Sequence, residues 1–363
     1  MAVNLATKYA QLIDERFSSE SLTAAAVNQD YDFIGAQSVK VYSMATAPMN
    51  DYQNAGNNRY GTPAELQDTT QELTMRKKRS FTFTIDKTNA VDSPEGVRDA
   101  AAALSRQLNE VVIPEIDQYR MVQMASGAGN FGYGELTKAN AYEEFLKAAA
   151  ALAEAKVPLD RRIAFVTPDF YSMIKQDGAF VRYGDLAQDM LVKGQIGMVD
   201  GISLVLMPSA YMPAGLSFLI THPSAVTAPQ KLSEYVIHEN PPGIAGNLVE
   251  GLTYYDCFVL NNKKDSIYAH FGKLGSLQIS MTAAGAGQGK IAVSGNAGGS
   301  GLVYKTGATV TAPALGEDLA SWTALPADGV ISATAGNKVA VAVKSAQEKC
   351  VAVSDVIDVV VGA

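Results

Sequence analysis

Two glycine clusters and one basic run are the places where this sequence could do chemistry. Gly127–Gly132 reads GAGNFG and matches the G-x-G-x-x-G dinucleotide fingerprint letter for letter. That motif works where a strand runs into the glycines and a helix leaves them, because the helix N-terminus then meets the pyrophosphate. Here the glycines follow a helical pattern, so we read them as a flexible turn. Gly285–Lys290 reads GAGQGK. A phosphate loop needs one more residue between its glycines and a Ser or Thr after the lysine to hold magnesium; Ile291 stands in that position. Neither cluster is expected to bind a nucleotide.

The remaining reactive side chains form no familiar set. His222, His238 and His270 show no metal-ligand spacing with one another or with Cys257 and Cys350. The two cysteines sit in apolar, strand-like contexts (YYDCFVL and KCVAV), as buried reduced thiols do, with a disulfide between them as the lesser alternative. Glu143 and Glu144 fall on the outer face of a helix and read as solvated. No nucleophile elbow, zinc helix or kinase signature occurs. The sequence therefore nominates no catalytic, cofactor-binding or metal residues, and the chain is expected not to be an enzyme. Arg76-Lys77-Lys78-Arg79 is the densest run of cations. It lacks the interleaved aromatics of a nucleic-acid platform, and the chain is acidic, with 29 Lys+Arg against 37 Asp+Glu and a net charge of −8. A solvated strand end and a contact with an acidic patch on a neighbouring subunit fit this run comparably.

The elements around these residues set their context. The segment 45–79 is a long polar excursion whose large apolar residues (Met49, Tyr52, Tyr60, Leu66, Leu73 and Met75) are few and scattered. Such a segment buries too little surface to hold itself in one conformation. A loop of this length in a compact domain is functional or is ordered by something outside its own domain, and a second copy of the chain is the natural candidate. On either side, SVKVYSM (38–44) and SFTFTIDK (80–87) alternate as strands, and we expect them to pair at the base of an extended hairpin. Before them, Leu5, Tyr9, Leu12, Ile13 and Phe17 recur at helical spacing in an amphipathic arm over 1–37.

Asp92-Ser93-Pro94-Glu95 is a helix start, with a capping serine, a proline at the first turn and an acid at the positive dipole end. Val97, Ala101, Leu104, Leu108 and Val111 continue the helical stripe, Pro114 should kink it, and the pattern ends near residue 125. That is a rod of roughly 45 Å. A second helix is expected over Lys138–Lys156, then a strand at 162–166 and a short helix opened by Thr167-Pro168-Asp169. From Gly194 onward the text is strand-rich, with Asp200-Gly201 as a hairpin turn and strands at 217–221, 235–239, 254–260 and 267–271. Near Gly275 the composition shifts to Gly, Ala, Val, Thr and Ser in short alternating runs. We read 276–363 as a separate β-sandwich-like module with Trp322 anchoring its core.

With 363 residues, 47% hydrophobic and 18% charged, the chain can build one large domain and a smaller one. The N-terminus lacks the apolar stretch of a signal peptide, and no run approaches the ~18 apolar residues of a membrane span. The chain is expected to be made and folded in a cytoplasm without membrane contact.

In order, these elements resemble the major capsid proteins of tailed bacteriophages, the HK97-like fold. The strings RKKRSFTFTIDKTNAVDS, VVIPEIDQYRM, GMVDGISLVLMPSAYMPAG, FLITHPSAVTAPQKL and EGLTYYDCFVLNNKKDSIYAH are similar to members from phages of Gram-positive bacteria. The resemblance covers about residues 25–272. It implies an α+β fold with an N-terminal arm (1–37), an extended loop with its flanking strands (38–87), and a peripheral domain with a spine helix (88–137). An axial domain (mainly 138–250) and a return to the peripheral domain (251–275) follow, and a C-terminal all-β module is added as an outward-facing decoration. It implies a structural protein that self-assembles through hexamers and pentamers into an icosahedral shell around double-stranded DNA, with a separate scaffolding protein and a portal as partners. Such a protein resides in the virion and is assembled in the bacterial host cytoplasm. The expected inter-subunit contacts are Leu5, Tyr9 and Leu12 of the arm, Tyr52, Arg59 and Tyr60 of the loop, and Arg76, Lys77, Lys78 and Arg79. An encapsulin-like nanocompartment is the alternative, and an enzyme with a site assembled only in space is a further one.

Overall fold

The computed structural model describes residues 21–31, 33, 37–63, 65–87, 100–176, 195–295 and 298–362. Leu5, Tyr9 and Leu12 of the arm and the helix start at 92–95 lie outside them.

The spine helix runs through Ala100–Gln107 and Ile113–Ser126, joined by a π-helical turn at Leu108–Val112. Pro114 explains the wide turn. Its ring would collide with the carbonyl four residues back and it has no N–H to donate, so the turn before it opens while the helix continues. The N-terminal half buries Ala100, Leu104 and Leu108 against the strand Lys77–Asp86 and its sheet. On that strand the alternation is strict: Phe81, Phe83 and Ile85 pack with the helix cluster, and the intervening Ser80, Thr82 and Thr84 face away. Burying each large aliphatic side chain in this seam contributes about 1.5–3 kcal/mol.

The expected pairing of 38–44 with 80–87 is corrected. Ser38–Met44 pairs antiparallel with Asp68–Thr74, and Lys77–Asp86 pairs with Gly246–Tyr255, which in turn pairs with Gln230–Glu239. The segment DTTQELT hides its strand because only Leu73 of it is buried. An exposed strand needs no apolar alternation, and β-branched threonine supplies the propensity. The expected strand 254–260 is likewise two pieces, Gly246–Tyr255 and Phe258–Val259.

A six-stranded mixed sheet forms the centre, in the order Asn130–Tyr133, Tyr268–Phe271, Leu216–Thr221, Ile163–Val166, Ile202–Leu206, Gln195–Val199. The last two are joined by Asp200 (φ 49°) and Gly201 (φ 75°), the positive-φ pair of a tight two-residue hairpin. One face is covered by the helices Ala141–Glu154 and Pro168–Lys175, where Phe145, Phe170 and Phe218 pack together with centroids 4.6 to 6.2 Å apart. The other is covered by the C-terminal half of the spine helix, with Met121 and Met124 against Phe165, Leu219 and Phe271. The helix Pro168–Lys175 is capped as its sequence requires, Thr167 Oγ1 accepting the Phe170 N–H at 3.3 Å.

Gly127–Gly132 is not a free turn. Asn130–Tyr133 pairs in parallel with Tyr268–Phe271. A β-carbon on Gly132 would collide with His270 Nδ1, so the glycine serves a close approach of strand and side chain.

Beyond Gly275 the chain is all β. Gly275–Gly285 serves two halves: Gly275–Leu277 lies parallel to Ala352–Ser354, and Gln278–Gly285 pairs with Gln288–Ser294. Ile291, Ile331, Val339, Val341 and Val359 fill the space between the halves. Trp322 does not anchor this core; it is half-buried at the edge of a side cluster with Leu319 and Cys350. Nor is the module loosely tethered. Leu277, Val343, Val351 and Ala352 belong to the same cluster as Ala125, Met212 and Phe271 of the body, and Tyr133 Oη lies 2.6 Å from Ser345 Oγ across the junction.

Candidate functional site

The feature that could act on another molecule is the hairpin built by Ser38–Met44 and Asp68–Thr74. Its root is pinned. Leu73 and Met75 are buried with Phe33 and Leu260, and the Gln71 amide clasps the body, donating to the Val259 carbonyl at 3.0 Å and accepting the Asn261 N–H at 2.9 Å. Its outer part is bare. Met44 is 80% exposed, Met49 98%, Tyr60 85% and Leu66 58%. Tyr52 and Tyr60 meet edge-on with centroids 5.1 Å apart, Gln53 N–H donates to the Arg59 carbonyl at 2.9 Å, and Arg59 Nε donates to the Gly56 carbonyl at 3.2 Å. These contacts shape the tip and bury little of it.

The basic run lies at the root, where strand alternation splits it. Lys77 and Arg79 face the spine helix: the Lys77 ammonium sits 4.9 Å from the Tyr119 ring centre, and Arg79 Nε is 2.6 Å from Glu115 Oε1. Lys78 faces away, 5.0 Å from the Tyr254 ring centre. The Arg76 side chain is exposed, and the Arg76 backbone N–H donates to Asp256 Oδ2 at 2.8 Å. Arg79 is thus taken up within its own chain, and Glu115 and hydrogen bonding hold its guanidinium more firmly protonated than usual. Sequence reading missed Glu115 as the partner of Arg79 and Tyr119 as that of Lys77. The signal was there in outline: residues two apart on a strand and four apart on a helix can meet pairwise.

Two buried carboxylates fix this region. Asp256 accepts from Tyr119 Oη at 2.6 Å and from the N–H groups of Arg76 and Cys257 at 2.8 Å each. Burial and this bond drive the Tyr119 phenol far above its usual range. Asp117 accepts from Ser21 Oγ at 2.6 Å, Thr23 Oγ1 at 2.6 Å and Leu22 N–H at 3.0 Å, and Arg120 Nη1 donates to both hydroxyls. Residues 21–23 are therefore held at a fixed point on the spine helix.

Among the described residues no three His, Cys, Asp or Glu side chains lie close enough to hold a metal ion. Both cysteine thiols are buried and pushed up to about 12, away from nucleophilic use. Among the described residues no helix is long and apolar enough to cross a membrane.

The geometry has counterparts among solved structures. A structure from Mycobacterium phage Che8 matches with a TM-score of 0.54 over 69% of this chain and 90% of that one, at 17% identity. The mature capsid of bacteriophage PhiM1 matches at 0.54 over 70% and 86%, with 12% identity. The capsid of cyanophage P-SCSP1u matches at 0.54 over 69% and 86%, with 13% identity. No family model matches the sequence, and no curated protein matches it in sequence. The class defined by the fold is the HK97-like capsid fold, α+β with a spine helix and extended loop, here carrying a C-terminal all-β module.

Proposed function

We propose that this chain is a structural shell subunit, the major capsid protein of a tailed bacteriophage. Copies form hexamers and pentamers that close into an icosahedral shell around double-stranded DNA. The observation that carries this reading is the hairpin: Met44, Met49, Tyr60 and Leu66 are exposed on a hairpin whose ladder is held to the body by Leu73, Met75, Gln71 and Ser43. A large apolar display on a stiff support is what a protein–protein contact requires. The HK97-like fold supports the same reading.

In this role residues 88–137 and 251–275 form the peripheral domain, 138–250 the main part of the axial domain, and 38–87 the loop that reaches a neighbour. Tyr52, Arg59 and Tyr60 at the tip, Arg76–Lys78 at the root and the arm with Leu5, Tyr9 and Leu12 make the inter-subunit contacts. The role is mechanical and uses no cofactor; a scaffolding protein, a portal and packaged DNA complete the set of partners, in a virion assembled in the host cytoplasm. Negative-stain electron microscopy of the purified chain, alongside mass photometry across a concentration series, tests it. Closed particles or capsomer-sized rings are expected. A chain that stays monomeric throughout, including when co-expressed with its neighbouring gene products, refutes it.

A further inference from the structure

Among the described residues only two sulfur-bearing side chains are exposed, Met44 and Met49. Met75, Met121, Met124, Met207 and Met212 are buried, and Met173, Met198 and Met281 are half-buried. Both cysteines are buried too, and burial keeps their thiols protonated. A protonated, shielded thiol reacts poorly with peroxide. The two exposed thioethers are presented from an ordered strand end. Met44 closes the hairpin ladder opposite Asp68, and Ala45 N–H donates to the Gln67 carbonyl at 2.9 Å. Strand alternation sends Tyr42 and Met44 to solvent while Val39 and Val41 pack toward Leu73. Met49 stands further along the same loop, with its side chain bare.

We infer that Met44 and Met49 form an oxidation site: peroxides convert them to sulfoxides, and the sulfoxides keep the subunit out of particles until the thioethers are restored. The effect on particles rests on the shell-subunit reading; the site itself does not. In the chemical step the sulfur lone pair attacks one peroxide oxygen. An S–O bond forms as the O–O bond breaks, sulfur gives up two electrons, and the other oxygen leaves as water with both protons. A methionine sulfoxide reductase reverses the change: two thiols become a disulfide and the sulfoxide oxygen leaves as water. Oxidation replaces an adaptable apolar side chain with a polar one. The fold is spared, because neither side chain is buried in it. Association is not spared, because an apolar contact would then have to take an unpaired oxygen out of water.

Hydrogen peroxide applied to the unassembled full chain, followed by peptide mass mapping, tests the site. Met44 and Met49 should each gain one oxygen about tenfold or more faster than Met75, Met121 and Met124, with the thermal midpoint unchanged. Equal rates at exposed and buried methionines overturn the site. Chain oxidised at both positions should give about tenfold fewer particles by electron microscopy, and methionine sulfoxide reductases with dithiothreitol should restore the yield. In the Met44→Leu, Met49→Leu double variant, peroxide should leave the yield at that variant's own untreated level. Undiminished particles from the doubly oxidised chain, or an equal loss in the double variant, overturn the effect on assembly while leaving the shell reading intact. Untreated wild-type chain that never forms particles overturns the shell reading, and the effect on assembly with it.

Discussion

Arg79 and Glu115 close a two-pronged ion pair, Nε to Oε1 at 2.6 Å and Nη2 to Oε2 at 3.2 Å, joining the start of a strand to the middle of the spine helix. Both side chains are substantially solvated, so the geometry is better than the energy. A double-mutant cycle with Arg79→Ala and Glu115→Ala, followed by urea denaturation, should give a coupling of about 0.5–1 kcal/mol that shrinks in high salt. A coupling near ~3 kcal/mol would mean that the pair is shielded from solvent.

Asp256 should matter more. It is buried and takes three hydrogen bonds from the hairpin exit, the spine helix and its own chain neighbour. Asp256→Ala strands the Tyr119 hydroxyl and two backbone donors, and should cost about 3 kcal/mol, read as a lowered urea midpoint. Asp256→Asn keeps part of the acceptor set and should cost less. Equal losses for both variants would place the importance in the negative charge.

Acid should loosen the central sheet through His270. Its ring stacks on Phe218 at 5.0 Å, Nε2 lies 3.2 Å from the Gly134 carbonyl, and Nδ1 has no hydrogen-bond partner among the described residues. Burial lowers its pKa below the usual 6.5, partly opposed by the Gly134 contact and Glu144. The folded chain then binds fewer protons than the unfolded one, so its contribution is present above about pH 6.5 and is lost as pH falls from there through the folded pKa. His222 is shifted the same way, also by burial. His270→Phe should therefore reduce, without abolishing, the slope of stability against pH between about 6.5 and 5. An unchanged slope in chemical denaturation would remove His270 from the account.

Deleting residues 50–65 should leave a folded subunit, because the hairpin root and not the tip carries the buried residues Leu73 and Met75. Circular dichroism should show a thermal midpoint within a few degrees of the intact chain, and electron microscopy should show no closed particles. Normal particles would mean that the loop is not a clamp.

Ending the chain after Gly275 should not be harmless. It strips Leu277, Val343, Val351 and Ala352 from a core they share with Ala125 and Met212. The truncated chain should partition into the insoluble fraction. Within the full chain, Leu277→Ala should cost about 3 kcal/mol in a single cooperative transition. Two separate transitions for the intact protein would instead make the module an independent unit.

Local patterns carried much of this architecture. The stripe Leu104–Leu108 announced the spine helix, Thr167-Pro168-Asp169 announced a capped helix that forms as written, and Asp200-Gly201 announced a hairpin that takes the expected positive-φ turn. Pro114 was legible as a disturbance, though not as a π-helical turn. The exposed outer part of the loop was legible too, because its polar composition is visible in the sequence, but the burial of Leu73 and Met75 at its end was not.

Partner choice was not legible. Which strand meets Lys77–Asp86 is decided by Gly246–Tyr255, far along the chain, and alternation specifies a face without naming a neighbour. The same limit hid the division of Arg76–Arg79 between two faces, the tie of Ser21 and Thr23 to Asp117, and the core shared across Gly275. The sequence by itself determined the helices, the strands that alternate and the exposed outer part of the loop, because helix stripes, caps and turns are properties of neighbouring residues; it did not show the polar strand Asp68–Thr74 or the strand Asn130–Tyr133. Only the tertiary structure decided the pairing of strands and the partners of buried charges, because those depend on contacts between residues far apart in the chain.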